Sequence, residues 1–235
     1  ELKNLLYASL MLGFVFGFDD GRPDFNLIYY LLNLLKFAIL SFICLFIYMR
    51  TQRFVANSSG ASAQISLWRG TPVRIPFIRK KIKFSLWFIL PVLISTLSKG
   101  QIFFAAILST ELMVNPAYRL GRRYTTLTEF ERARILASSP VLLMFLSLII
   151  SQNDSFKSLV LVSSMISIFS MLPLPGLPGI DIFFASKALY IFSIVLILSI
   201  ALLLRFISAP LTAVLAILIA FSVLIIYLWK FYAKK

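Results

Sequence analysis

The ionisable side chains inside apolar runs are the first candidates for chemistry in this chain. They are Lys36, Glu111, Asp181, Lys187 and Arg205. Charges in such segments are costly and often functional, so each needs a partner, a ligand or water. Two facing carboxylates can share a proton, which makes Glu111 with Asp181 one candidate catalytic dyad. A serine beside Lys99 or Lys187 is a second candidate pair.

The sequence contains no histidine, which removes the usual metal ligand and the usual general base. A serine–histidine protease is therefore excluded. The only cysteine, Cys44, cannot form an intrachain disulfide. No base lies near it in sequence, so we expect it to pack as an apolar side chain. The sequence predicts neither a metal nor another cofactor.

The composition is that of a membrane protein. The 235 residues are 60% hydrophobic and only 14% charged, and the mean hydropathy is +0.93. Typical globular domains are about 45–50% apolar and about 25% charged. Apolar runs of about 18 residues recur along the chain, as in polytopic helical membrane proteins. An ordinary soluble domain, a disordered chain and a disulfide scaffold are excluded.

The net charge of +14 would suggest a nucleic-acid partner in a soluble protein. No basic and aromatic binding motif accompanies it here, so we expect no nucleic acid. The positive charges instead cluster in segment 50–83, in loop 115–134 and in the C-terminal tail. Clusters on one membrane face follow the positive-inside rule and attract anionic lipid headgroups. We therefore expect both termini on a basic, cytoplasmic side.

The apolar pattern predicts six spanning helices in one integral membrane domain over residues 1–235. They cover about 3–18, 26–49, 133–151, 157–172, 184–206 and 209–230. Alternation over 63–68 indicates a strand. Segment 84–114 is broken at Pro91 and at 98–101, so it is either one kinked crossing or a re-entrant hairpin. The hairpin keeps all basic loops on one side and is therefore favoured.

The stretch LPLPGLPGID at 172–181 holds three prolines and two glycines. We expect it to be non-helical. Irregular backbone at membrane depth must be buried in protein or face water. A broken helix of this kind, together with the intramembrane charges, also suits a small transporter or channel subunit.

Three segments of this sequence, and the order in which they occur, are similar to those of a known protein family. They are YMRTQRFVANSSGA at 48–61, the strand 63–68 together with 105–134, and LPLPGLPG at 172–179. The middle segment includes Asn115 to Tyr118 followed by Gly121 to Arg123. Together they resemble the intramembrane zinc metalloproteases of the site-2 protease type, above all the short prokaryotic forms. The resemblance covers about 26–190 and implies a membrane-associated β hairpin, with C-terminal helices over about 184–230.

The catalytic residues of that family are replaced in this chain. Tyr48 stands at the first zinc-binding histidine of H-E-x-x-H, Met49 at the catalytic glutamate and Gln52 at the second histidine. Pro178 stands at the aspartate that is the third zinc ligand, and Asp181 lies three residues further on. Zinc hydrolysis needs three protein ligands and a base for the bound water. The resemblance therefore implies a metal-free pseudoprotease.

Such a fold can keep the groove for a transmembrane helix after losing the cutting machinery. The resemblance thus implies a binding or scaffold subunit for another integral membrane protein, in a prokaryotic cell membrane. The candidate contact residues are Glu111, Asn115, Pro175, Gly176 and Asp181. A transporter or channel subunit, and an intramembrane protease with an unrecognised site, are the alternatives.

Overall fold

A computed structural model describes residues 2–18, 26–70, 73–74, 81–82, 85–114 and 126–232. Within these ranges the chain is mostly helical, with four short strands. The elements are α1 (Leu2–Gly17), α2 (Leu27–Ser58), β1 (Ala61–Leu67), β2 (Val73–Arg74), β3 (Lys81–Ile82), α3 (Leu86–Leu97), β4 (Leu108–Val114), α4 (Glu129–Ile150), α5 (Lys157–Ser170), α6 (Pro178–Ala185), α7 (Lys187–Leu203) and α8 (Ala209–Tyr232).

Three helices are long and apolar enough to cross a membrane: α2, α4 and residues 209–231 of α8. A bilayer core of about 30 Å needs about 20 helical residues. Helices α1, α3 and α7 are apolar but have only 16, 12 and 17 residues. At 1.5 Å per residue they span about 18–26 Å. The structure therefore provides three helices of spanning length, with shorter apolar helices beside them.

Two glycines in α1 allow it to approach α2 at backbone distance. A Cβ on Gly13 would lie 2.7 Å from the Cβ of Ala38, and one on Gly17 would lie 2.9 Å from the Cα of Leu34. The Asn33 side chain donates a hydrogen bond to the carbonyl of Gly17 at 3.4 Å. Small residues four apart let apolar helices pack through close van der Waals contact. This contact holds the short α1 against α2.

The second helix is longer than the sequence predicted. It has 32 residues and ends at Ser58, whereas the apolar pattern placed its end near 49. The polar last turns stay helical because their inner face is covered, with Gln52 and Ala56 fully buried. Arg134 of α4 also donates to Ser59 Oγ at 3.0 Å, just beyond the helix. The prediction failed because this end is stabilised by tertiary contacts rather than by hydropathy.

Strands β1 and β4 form an antiparallel ribbon against the end of α2. The register runs from Ala61 opposite Val114 to Leu67 opposite Leu108. The predicted strand at 63–68 is confirmed except for its last residue, and its return strand is β4. Alternate β1 residues are buried and exposed. One face of the ribbon therefore packs on the protein while the other faces outward.

The segment between these strands leaves the ribbon and comes back. It contains α3, with Pro91 inside the helix rather than at a break. The chain then reverses at Lys99 and Gly100, whose φ angles are +52° and +81°. Because Lys99 carries a Cβ, its left-handed conformation is the uncommon one of the two.

Trp68 holds both ends of this excursion. Its backbone N–H donates to the carbonyl of Ile107 at 2.8 Å. Its backbone carbonyl accepts from the backbone N–H of Trp87 at 3.0 Å. Two ends that bind one residue cannot lie on opposite faces of a bilayer. Residues 87–107 therefore form a hairpin, and a single kinked crossing is incompatible with this geometry.

Helix α4 runs antiparallel to α2. It starts at a capping box, in which the Thr128 and Glu131 side chains accept each other's backbone N–H groups at 3.2 and 3.0 Å. Near its start Arg134 reaches the end of α2, and one turn later Ser139 Oγ donates to the carbonyl of Tyr48 at 2.9 Å. The end of the molecule with Arg53, Arg132 and Arg134 is called the basic end below. Loop 151–157 lies at the opposite end.

The predicted helix 184–206 is confirmed over Lys187–Leu203, which form α7, but its first two residues belong to a separate helix. Helix α6 ends at Ala185 and α7 begins at Lys187. Between them the Ser186 hydroxyl caps α7 by accepting from the N–H of Leu189 at 3.4 Å. The non-helical prediction for 172–181 is wrong in its last four residues. Pro178 takes the first position of α6, where a proline N–H is not needed.

Candidate functional site

The three α2 positions identified from the sequence all face the interior. Tyr48 is 1% exposed, Met49 is 7% exposed and Gln52 is fully buried. Residues four apart lie on one face of a helix, so Tyr48 and Gln52 share the face that packs on the ribbon and on α4. The side chains at this place are a phenol, a thioether and a carboxamide.

Gln52 is held by a hydrogen bond from the ribbon. The Thr110 hydroxyl on β4 donates to Gln52 Oε1 at 3.0 Å, and both side chains are buried. The Nε2 atom of Gln52 has no hydrogen-bond partner among the described residues. This bond occupies one of the two lone pairs of Oε1, and the amide nitrogen is a hydrogen-bond donor rather than a metal ligand.

The Tyr48 side chain lies beside a very small internal void. Leu45, Ile107, Ile166 and Ser170 line this void together with Tyr48, and its volume is about 10 Å³. A water molecule needs about 10–15 Å³ of such volume. The space around Tyr48 can therefore hold one water at most, and it has no room for a peptide substrate.

The proline-rich turn is fixed to the ribbon by Trp68. The indole Nε1 donates to the carbonyl of Pro175 at 2.9 Å. Gly176 has a φ of +88°, and a Cβ there would lie 2.9 Å from the same indole nitrogen. Glycine adopts this φ without steric cost. Pro175 and Gly176 are thus exposed on one side and held by Trp68 on the other.

The end of α5 contacts the start of α6. A Cβ on Gly179 would clash with the carbonyl of Met171, so only glycine fits this contact. The same carbonyl accepts a hydrogen bond from the Tyr190 hydroxyl at 3.2 Å. Ser170, the residue before Met171, lines the void beside Tyr48. Ser170 and Met171 therefore connect the Tyr48 region to the start of α6.

Tyr48 and the middle of α6 lie in different hydrophobic clusters. Tyr48 and Met49 pack in a cluster with α1 and the ribbon, whereas Ile182 of α6 packs in a cluster with α4, α7 and α8. Pro178 itself is buried at the start of α6. No hydrogen bond among the described residues joins Pro178 to Tyr48 or Gln52.

The two candidate carboxylates have different surroundings. Asp181 forms an ion pair with Arg132 of α4 at 3.2 Å, and both side chains are partly exposed. Glu111 is exposed on β4, directly opposite Gln64 of β1. Asp181 therefore faces a cation at the basic end and is not deep in an apolar layer.

The remaining charged side chains of the apolar runs are exposed. Lys36 and Lys187 each lie above a phenylalanine ring, with the ammonium 5.5 and 5.9 Å from the ring centroid. Arg205 lies at the mouth of an external groove. Asn115, the remaining candidate contact, lies outside the described residues. Within the described ranges, no group of three or more acidic, cysteine or histidine side chains could hold a metal ion.

Two residues that position this region were missed from the sequence. Trp68 was only the last residue of a predicted strand, and Thr110 carried no signal at all. Their partners, Pro175 and Gln52, lie 107 and 58 residues away along the chain. The only local hint was a tryptophan at the end of an alternating strand, which is a large apolar side chain whose N–H needs an acceptor.

Comparison with protein-family models, with curated proteins and with solved structures finds no match for this chain. The resemblance to site-2 proteases therefore stays a prediction.

Proposed function

We propose that this chain is an integral membrane protein of site-2-protease-like design, without proteolytic activity of its own. Its role is to bind another membrane protein or a single transmembrane helix, as a scaffold or as a subunit of a membrane complex. The basic end faces the cytoplasm of a prokaryotic cell, as the positive-inside rule favours, and attracts anionic lipid headgroups.

The buried α2 side chains support the loss of catalysis. Zinc hydrolysis needs nitrogen, sulfur or carboxylate ligands and a base that takes a proton from the bound water. Tyr48 and Gln52 supply a phenol and a carboxamide, and the thioether of Met49 cannot accept that proton. The interior around Tyr48 is also filled, since its void measures about 10 Å³.

The observation that carries the binding proposal is the outer face of the ribbon. Gln64 and Glu111 lie directly opposite each other there, and Ser62 lies opposite Met113. All four side chains are exposed. Exposed polar side chains can donate and accept hydrogen bonds to a partner. A ribbon with one face fixed to the protein and the other polar and free is suited to holding a partner.

Photo-crosslinking in the native host tests this proposal. A photoreactive amino acid replaces Gln64 in one variant and Met113 in a second. Trp229, which is 75% exposed on α8, provides the control position. We expect one discrete adduct from the two ribbon positions and none of the same mass from the control. Identical adduct patterns from all three positions, or no adduct from either ribbon position, would overturn the proposal.

A further inference from the structure

A groove between α5 and α7 opens at the end of the molecule opposite to the basic end. Its volume is about 520 Å³, in the range of about 300–1,000 Å³ that small-molecule sites occupy. The apolar side chains along it include Val160, Leu161, Met165, Ile168, Leu198 and Leu202. Walls of this kind suit a hydrocarbon chain, because the chain packs against them through van der Waals contacts that are weak singly and large in sum.

The mouth of the groove is charged. Its ionisable residues are Asp154, Lys157 and Arg205. Lys157 Nζ lies 3.0 Å from Asp154 Oδ1, and both side chains are well exposed. Arg205 is exposed and forms no ion pair with any described residue. Two cations and one carboxylate leave a net charge of 2 − 1 = +1, and the unpaired charge is a guanidinium.

A guanidinium binds a phosphate through two parallel N–H donors. Arg205 lies where the apolar groove meets the aqueous end of the molecule. A phospholipid has the matching order of groups, with a phosphodiester directly above its acyl chains. A zwitterionic headgroup would add an ammonium, whose nearest carboxylate, Asp154, is already paired with Lys157. The net charge of +1 therefore matches a headgroup with one negative charge.

We propose that this groove binds one monoanionic phospholipid, with an acyl chain between α5 and α7 and its phosphodiester at Arg205. The site differs from a general attraction of anionic lipids to the basic end, because it lies at the opposite end. It is also independent of the proposed partner at the ribbon.

Native mass spectrometry tests the site on purified protein titrated with phosphatidylglycerol in mild detergent. The wild type is expected to retain one lipid per chain. Arg205→Ala should weaken retention about fivefold, the effect of one cation near a lipid surface, and Arg205→Lys should weaken it less. Lys230→Ala is the matched control, because it removes an exposed cation from the end of α8. Equal loss in Lys230→Ala would overturn the proposal.

Filling the groove tests the acyl-chain part. Ser164 lines the groove, and its hydroxyl bonds only the carbonyl of Leu161 in its own helix, at 3.0 Å. Ser164→Phe should abolish retention while thermal unfolding is unchanged. If this variant unfolds, the retention of lipid by Arg205→Ala still tests the proposal. Inorganic phosphate and a diacylglycerol with the same chains serve as separate probes. Equal retention of the diacylglycerol would overturn the phosphate contact. Arg205-dependent binding of inorganic phosphate, with no phosphatidylglycerol retained, would overturn the lipid.

Discussion

Replacing Trp68 by phenylalanine is expected to loosen the proline-rich turn from the ribbon. Trp68 is 2% exposed, and its indole donates the only side-chain hydrogen bond that reaches the turn from the ribbon among the described residues. The backbone hydrogen bonds to Ile107 and Trp87 persist in the variant. The substitution therefore removes the link to Pro175 and leaves the hairpin of residues 87–107 closed.

The expected cost follows from two losses. A hydrogen bond contributes about 1 kcal/mol to stability. The smaller ring leaves an incompletely filled site, and shrinking a buried side chain by a few atoms costs about 1–2 kcal/mol. The sum is about 2–3 kcal/mol. For a chain of this size that corresponds to a fall in Tm of about 4–12 °C.

Thermal unfolding in detergent, followed by near-UV circular dichroism, measures this fall. The chain offers two matched controls in its other tryptophans. Trp87 is half-buried, and its side chain makes no hydrogen bond with a described residue, whereas Trp229 is 75% exposed. Trp87→Phe should lower Tm by a few degrees at most, and Trp229→Phe should leave it unchanged. Equal falls in all three variants would refute the assignment of Trp68 as the link.

Three further substitutions have expected outcomes in the same assay. Gly13→Leu places a side chain against the α2 backbone and should destabilise the chain by about 3 kcal/mol. An unchanged Tm would contradict this close contact. Thr110→Val leaves the buried oxygen of Gln52 without its donor and should cost about 1–3 kcal/mol, while Thr110→Ser keeps the hydroxyl and should cost less. Asp181→Asn breaks the partly exposed pair with Arg132, so the loss should stay below about 1 kcal/mol and vanish at high salt.

The fold was predictable where a local pattern determines it. The alternation of 63–68 indicated a strand because one face of the ribbon is buried and the other is exposed. The ends of α2 and α6 were not predictable in this way. The polar turn around Gln52 looks like a loop by hydropathy, yet it stays helical because α4 and the ribbon cover it. Ser186 breaks a continuous apolar run by capping α7. A single serine within an apolar run is too weak a signal to predict where one helix ends and the next begins.

The candidate site was predictable only as a set of positions. The resemblance identified Tyr48 and Gln52, and the structure places both in the interior. Their neighbours could not be predicted, because a hydrogen bond between Thr110 and Gln52 joins residues 58 apart in sequence. Asp181 looked like a charge at membrane depth, but its position beside Arg132 depends on how α6 packs against α4. Contacts of this kind follow from tertiary packing and leave no periodic signal.

Stability and partner binding should therefore depend on opposite faces of one ribbon. Its inner face carries Ala63, Ile65 and Thr110, which pack against α2 and its neighbours. Its outer face carries Gln64 and Glu111, which touch little of the chain itself. Exposed positions away from such contacts change stability by about 0.5 kcal/mol or less when replaced. Reversing the one charge named on the outer face, by Glu111→Lys, should accordingly weaken binding of a partner at constant Tm, whereas inner-face changes should lower Tm first and binding only as a consequence.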